Sequence, residues 1–348
     1  MLHEFLVTWR TAHSAEHMSD GLGSKPSHGV LPRVLQPRGH SRVAHATTAK
    51  GNPRELLRRI APPNPDVLNT LGLLSEFPGT WVGSGFNLIA LPDKQNNQIF
   101  RLQLNTTIET LEFTPIGGAV PNRGSEQNDI FLHGVHYLQR VSDATTHAPL
   151  HIEPGIWLRV PPTQEPQQAE TYVRQSTIPH GDSLIAQSTF FKEASGGPIL
   201  NHVDASPFLI KPGVAIPGLN QVPNPDPVNR LGYTDPYFRT PLPAGLPQGL
   251  DPAQVISNPV LLLSEAIRGQ DIVKTVVIEV SSASSGGIVN IPFVVKNANA
   301  IQLDAIFWVE HVVAGDIHFS QLQYVQRVIL DFDGIHWPHV SVATLVKQ

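Results

Sequence analysis

The stretch Ile99-Phe100-Arg101-Leu102-Gln103-Leu104-Asn105-Thr106-Thr107-Ile108-Glu109-Thr110-Leu111-Glu112-Phe113-Thr114-Pro115 sets the fold class. Phe100, Leu102 and Leu104 alternate with Arg101, Gln103 and Asn105, the period of two that puts apolar and polar side chains on opposite faces of a strand. Similar runs recur along the chain between Pro, Gly, Asn and Asp. They span 80–90, 130–141, 150–160, 171–178 and 182–191, then 272–281, 289–296, 301–313, 317–332 and 336–346. Many short antiparallel strands at this spacing read as a sandwich or a closed barrel. Proline agrees: 32 copies in 348 residues are about twice the usual share and exclude helical bundles and long coiled coils. No repeat of fixed period points to a propeller or solenoid.

Two segments fall outside the strand pattern. Residues 201–252 hold eleven prolines and form a long loop that cannot supply central strands. Residues 257–268 read as one short helix with Ser257 as its N-cap, and further short helices are expected at 52–60 and 65–74.

Charge is segregated. Residues 1–60 carry nine Lys or Arg against four acids, net +5, which leaves net −10 for residues 61–348. The first segment is expected to be a disordered basic extension, because its histidines and turn residues come with little apolar periodicity. Glu4, Glu16 and Asp20 depart from the acid-poor pattern of a targeting presequence, so a cytoplasmic location is expected. The acidic balance of 61–348 argues against a nucleic-acid partner. No run of eighteen apolar residues exists to span a bilayer as a helix.

Cysteine is absent, which removes disulfides, thiolate nucleophiles and Cys-held metals and leaves histidine and carboxylate as ligands. Ten of the sixteen histidines lie beyond residue 60. His151 and Glu153 share a strand face, as do His180 and Asp182 if that strand extends to them, and such pairs orient an imidazole for metal binding or acid-base work. The same pairs also occur as surface ion pairs or satisfied buried hydrogen bonds. His133, His336 and His339 are further candidates, the last two flanking Trp337 and Pro338 at the start of the last strand. No phosphate-binding loop, dinucleotide fingerprint or nucleophile elbow is present. Gly83-Ser84-Gly85 reads as a bend in a coiled first strand.

Three stretches resemble the nitrobindin-like, fatty-acid-binding-protein-like barrels of the wider calycin group. Phe77-Pro78-Gly79-Thr80-Trp81-Val82-Gly83-Ser84-Gly85 is similar to their Gly-Thr-Trp-x-Gly-x-Gly opening. Leu150-His151-Ile152-Glu153-Pro154-Gly155-Ile156-Trp157 is similar to their His-x-Glu-x-Gly-x-Trp strand, and His339 to Leu345 to their closing strand. The resemblance implies an antiparallel barrel of about ten strands over residues 61–348, with one or two short helices and the 201–252 insertion. It implies a hydrophobic or planar ligand, haem b above all, with nitric-oxide or peroxide chemistry. His339 would then ligate iron, with His336, Trp337, His133 and Trp81 as further cofactor-binding candidates. The chain departs from the pattern in one place. The family histidine stands three residues before the alanine, where Val340 is found, whereas His339 stands four before Ala343, an offset that reverses the face unless Pro338 or a bulge restores it. The alternative function is an isomerase, dehydratase or cyclase, cofactor-free or with a non-haem metal, acting on a biosynthetic intermediate through His151, Glu153, His180 and Asp182.

Overall fold

The structure, a computed structural model, describes residues 65–211 and 237–348; the basic segment and the helix expected at 52–60 lie outside the described residues. Among those described, ten long strands form one antiparallel barrel: β1 (Gly79–Asp93), β2 (Gln98–Pro115), β3 (Ile130–Asp143), β4 (Pro149–Val160), β5 (Thr171–Ile178), β6 (Asp182–Ser195), β7 (Asp271–Asn290), β8 (Asn299–Ala314), β9 (Ile317–Phe332) and β10 (Ile335–Lys347). Each pairs with the next, and β1 pairs back to β10 from Trp81↔Lys347 to Leu88↔Val340, closing the sheet. Closure explains why the edges of so long a sheet are not left open. Gly83 and Gly85 are needed at this seam: a Cβ on Gly83 would lie 2.1 Å from the Thr344 carbonyl oxygen, and one on Gly85 2.3 Å from that of Val342. No helix among the described residues is long and apolar enough to cross a membrane.

Two expected elements differ. The runs at 272–281 and 289–296 are not two strands, because β7 continues through Asn290 and the remainder turns into helix α4 (Pro292–Asn297). Proline has no N–H for the ladder but suits the first helical turn, and Pro292 sits there. The single helix expected at 257–268 is two, α2 (Pro252–Ser257) and α3 (Leu261–Ala266). Pro259 pushes Asn258 out of the helical region (φ −144°, ψ 80°), and the true cap is Asp251, whose side chain accepts from the Ala253 N–H at 3.1 Å. Helix α1 (Pro65–Thr70) is followed by a 3₁₀ turn over Gly72–Glu76.

The described parts of the insertion, with α2 and α3, cover the outside of the barrel. Ala205, Tyr237, Val255, Ile256 and Leu263 pack there against Phe86, Leu88, Trp308, Val340 and Val342. The Tyr237 hydroxyl donates to the Ala205 carbonyl at 3.1 Å. This second, external core is why Phe100, Leu102 and Leu104 face outward while Gln103 faces the barrel interior. Beyond Leu88↔Val340 the β1–β10 pairing ends, and Phe208–Leu209 from the insertion pairs with β10 instead. Trp337 fills that seam, its ring 4.7 Å from Phe100 and stacked 5.1 Å from Phe332.

Inside the barrel, one end is plugged by Leu71, Leu74 and Phe77, packed on Trp81, Phe113, Trp157 and Phe307. Trp81 is fully buried here, with its indole N–H donating to the Phe77 carbonyl at 2.7 Å. The opposite end is open, and a belt of polar residues lies between the two on part of the wall, while Leu184 and Leu303 carry the closed-end core through to the open side on the rest.

Candidate functional site: a two-lobed chamber behind a polar belt

The belt is built from inward positions of five strands. Glu153 on β4 and Arg174 on β5 form an ion pair of 2.6 Å, with side chains 0% and 1% exposed. The Tyr137 hydroxyl on β3 donates to Glu153 and accepts from Arg174 Nε at 3.0 Å. Tyr137 stands opposite Gly155, where a Cβ would lie 2.5 Å from the ring, so only glycine lets the tyrosine reach Glu153. Arg174 also donates to Gln326 Oε1 at 2.7 Å, and its guanidinium lies 5.4–5.9 Å from the ring centres of Phe307, Tyr137 and Trp157. Burial pushes the Glu153 carboxyl up, but the charge of Arg174 and the donors His151 and Tyr137 outweigh it and hold the group ionised, well below the usual carboxylate range.

A second knot lies beside it. Glu109 on β2 accepts from Tyr324 (2.5 Å), Thr107 (2.8 Å) and Gln139 (3.3 Å), and Gln139 donates to the Tyr324 hydroxyl at 2.9 Å. Burial raises the Glu109 carboxyl despite these three donors. Its three hydrogen-bond donors are uncharged groups, whereas Glu153 is paired with Arg174.

Above the belt the barrel opens into two contiguous lobes. The polar lobe, about 190 Å³, is lined by Asn87, Gln103, Glu109, Gln139, Tyr324 and Ser341. The apolar lobe, about 410 Å³, is lined by Leu184, Ile288, Leu303, Val328 and Leu330, with Phe293 and Val294 of α4 at its rim. Ile89, Leu91, Gln326 and three histidines, His151, His180 and His339, line both.

His151 Nε2 lies 3.2 Å from Glu153 Oε2, leaving its other ring nitrogen uncommitted to that pair. The rings of His151 and His180 are 6.1 Å apart. Burial and then His151 lower the pKa of His180, while burial raises that of Asp182. Asp182 lines the apolar lobe, and its Oδ1 is buried with no hydrogen-bond partner among the described residues. His339 shares the inner face of β10 with Ser341 and Ala343, while Val340 and Val342 face the external core. The four-residue spacing to Ala343 therefore directs the imidazole into the chamber along a regular strand, with no bulge in the β9–β10 register. Its Nε2 lies 2.8 Å from Asn87 Oδ1, which also accepts from Ser341 at 3.0 Å. Burial first, then His151 and His180, push the His339 pKa down to about 3, so this imidazole is neutral at physiological pH.

The fold thus gathers His151, Glu153, His180, Asp182 and His339 in or directly behind one chamber, and separates the other candidates. Trp81 belongs to the closed-end core. His133 lines a shallow groove with Asn69, Arg159 and Glu170. His336 pairs with Asp331 at 2.5 Å and lies with its ring 4.6 Å from that of Phe208, and Trp337 joins the external core. Among the described residues, no three His, Asp or Glu groups converge to hold a metal ion.

Sequence reading missed Glu109, Tyr137, Gln139, Arg174, Tyr324 and Asn87. A signal existed for two of them: Glu109 has the parity of Leu111 and Phe113, which belong to the interior core. Arg174 sits between Tyr172 and Ser176 on an equally buried face.

No family model matches the chain, and no curated protein matches it. Among solved structures, the crystal structure of Rv2717c from M. tuberculosis is similar at 14% identity, covering 82% of this chain and 99% of that one, with a TM-score of 0.37.

Proposed function

We propose that the barrel binds one small molecule with a hydrophobic or planar body, seated in the apolar lobe with the histidines at its polar end. The observation that carries this reading is the lobe itself: about 410 Å³ of mostly apolar wall, with Asp182, Gln326 and three histidines among its lining. Sites for small ligands are apolar clefts with a few placed polar groups.

Haem b is the specific candidate. The donor set would fit an iron-holding imidazole, because metals take the neutral ring and His339 is neutral beside an apolar wall. When bound, such a group supplies an iron that can take up nitric oxide or react with peroxide. His339 would hold it after its Nε2 gives up Asn87, and Asn87 would keep Ser341 as a donor. The apolar wall would limit the entry of water. On this reading, purified protein mixed with haemin develops a Soret band that His339→Ala abolishes. A protein that stays free of any such band overturns the haem assignment.

One observation favours a second reading. The His151–Glu153 pair faces the chamber with the carboxylate fixed from behind by Arg174 and Tyr137, an arrangement that orients an imidazole for proton transfer. With His180 and Asp182 it would serve an isomerase, dehydratase or cyclase.

A further inference from the structure

The charges around the chamber define the polar end of its ligand. No Lys or Arg is among the described residues lining either lobe. The cation behind the wall, Arg174, is spent on Glu153, Tyr137 and Gln326. Arg101 stands two residues further out on β2 than the lining residue Gln103, exposed, with its guanidinium 3.2 Å from Gln103 Oε1. Carboxyls, by contrast, face inward. Glu109 lines the polar lobe, and Asp182 lines the apolar one with a buried, unpartnered oxygen.

An anionic head drawn into this chamber would lose its water and find no lysine or arginine among the described lining residues to replace it. If Glu109 is ionised it repels that head, and if it is protonated it offers no charge to attract it. What the wall does offer is hydrogen-bonding groups. Gln326 has its Oε1 occupied by Arg174 and keeps its amide N–H groups, and His151 keeps the ring nitrogen not turned to Glu153. These groups suit a hydroxyl, a ketone or an amide.

We infer that the chamber selects ligands whose buried polar end is uncharged, and discriminates against those that must bury a carboxylate, sulfate or phosphate, so that a haem would have to keep its propionates at the mouth. The inference rests on the reading that the apolar lobe binds a small molecule, and one experiment separates the two. The full chain is titrated with the neutral dye Nile red at pH 8, and the dye is displaced by dodecanol, dodecanamide or dodecanoate below micelle-forming concentrations. The alcohol and the amide should compete at concentrations at least about tenfold lower than the carboxylate. Asp182→Asn should narrow that gap. Carboxylate competing as well as the alcohol, as it would if the head stayed outside near Arg101, overturns the inference and leaves the chamber reading standing. A gap unchanged in Asp182→Asn also counts against it, because charge would not then be its source. Failure of Nile red to bind at all removes the chamber reading and the inference with it.

Discussion

Arg174→Met is expected to lower the unfolding free energy by about 3–5 kcal/mol, the usual cost of stranding one member of a buried ion pair. The side chains of Arg174 and Glu153 are 1% and 0% exposed, so the abandoned carboxylate could not recover its hydration. Tyr137 and His151 would still donate to it, but neither replaces a full charge at 2.6 Å. The same change removes a guanidinium packed against Phe307, Tyr137 and Trp157. Adding Glu153→Gln to Arg174→Met should restore a large part of the loss, since no uncompensated charge then stays inside. Urea denaturation of the wild type, both single variants and the double variant checks this. A double variant as unstable as the sum of the singles would mean that the two side chains do not act as a pair.

Glu310 gives the second large effect, with a pH signature. It lies on β8 facing away from the closed-end core, fully buried, and it accepts from Gln321 Nε2 at 2.5 Å. Its Oε1 has no partner among the described residues. Burial raises its pKa from 4.5 to about 7, against the weaker pull of the Gln321 bond. The folded state thus holds a proton that the unfolded chain releases near pH 4.5. The resulting cost is absent below that pH, grows as pH rises to 7, and is constant above it, at about 3 kcal/mol. Glu310→Gln copies the protonated form. It should leave stability at pH 4.5 nearly unchanged and raise it by about 2–3 kcal/mol at pH 8. Equal effects at both pH values would show that Glu310 is charged at neither or at both.

Much of the barrel is legible in the sequence because period-two alternation is a local property of each strand. What alternation cannot state is which side is inside. Phe100, Leu102 and Leu104 are the apolar set of β2 near the mouth, yet they face outward, because the proline-rich insertion builds a second core over them. The helix at 292–297 is hidden for a related reason: Val289, Ile291, Phe293 and Val295 alternate like a strand, and the contrary signs are the proline inside the run and the apolar Val294 that breaks the alternation.

The site divides along similar lines. His151 and Glu153 were readable as a pair because two residues on one strand always share a face. His339 was readable through the closing-strand resemblance. Glu109 with Tyr324, and Glu153 with Arg174, are pairs between distant strands, and their meeting depends on the barrel register, which no local pattern encodes. Trp81 illustrates the opposite case. Its place in the opening motif suggested a role with the ligand, but the structure assigns it to the closed-end core, where its N–H bond to Phe77 ties the plug to β1.

As a ligand site, the apolar lobe should lose its ligand when it is filled from within. Val328 lines that lobe and is only partly buried, packed against the near edge of the closed-end core, so Val328→Trp would project an indole into the space. Nile red titrated into the wild type should show a blue-shifted, saturable emission at about one dye per chain, and Val328→Trp should abolish it while leaving the thermal midpoint close to that of the wild type. Saturable binding that persists unchanged in folded Val328→Trp would contradict the account, because the dye would then be seated elsewhere.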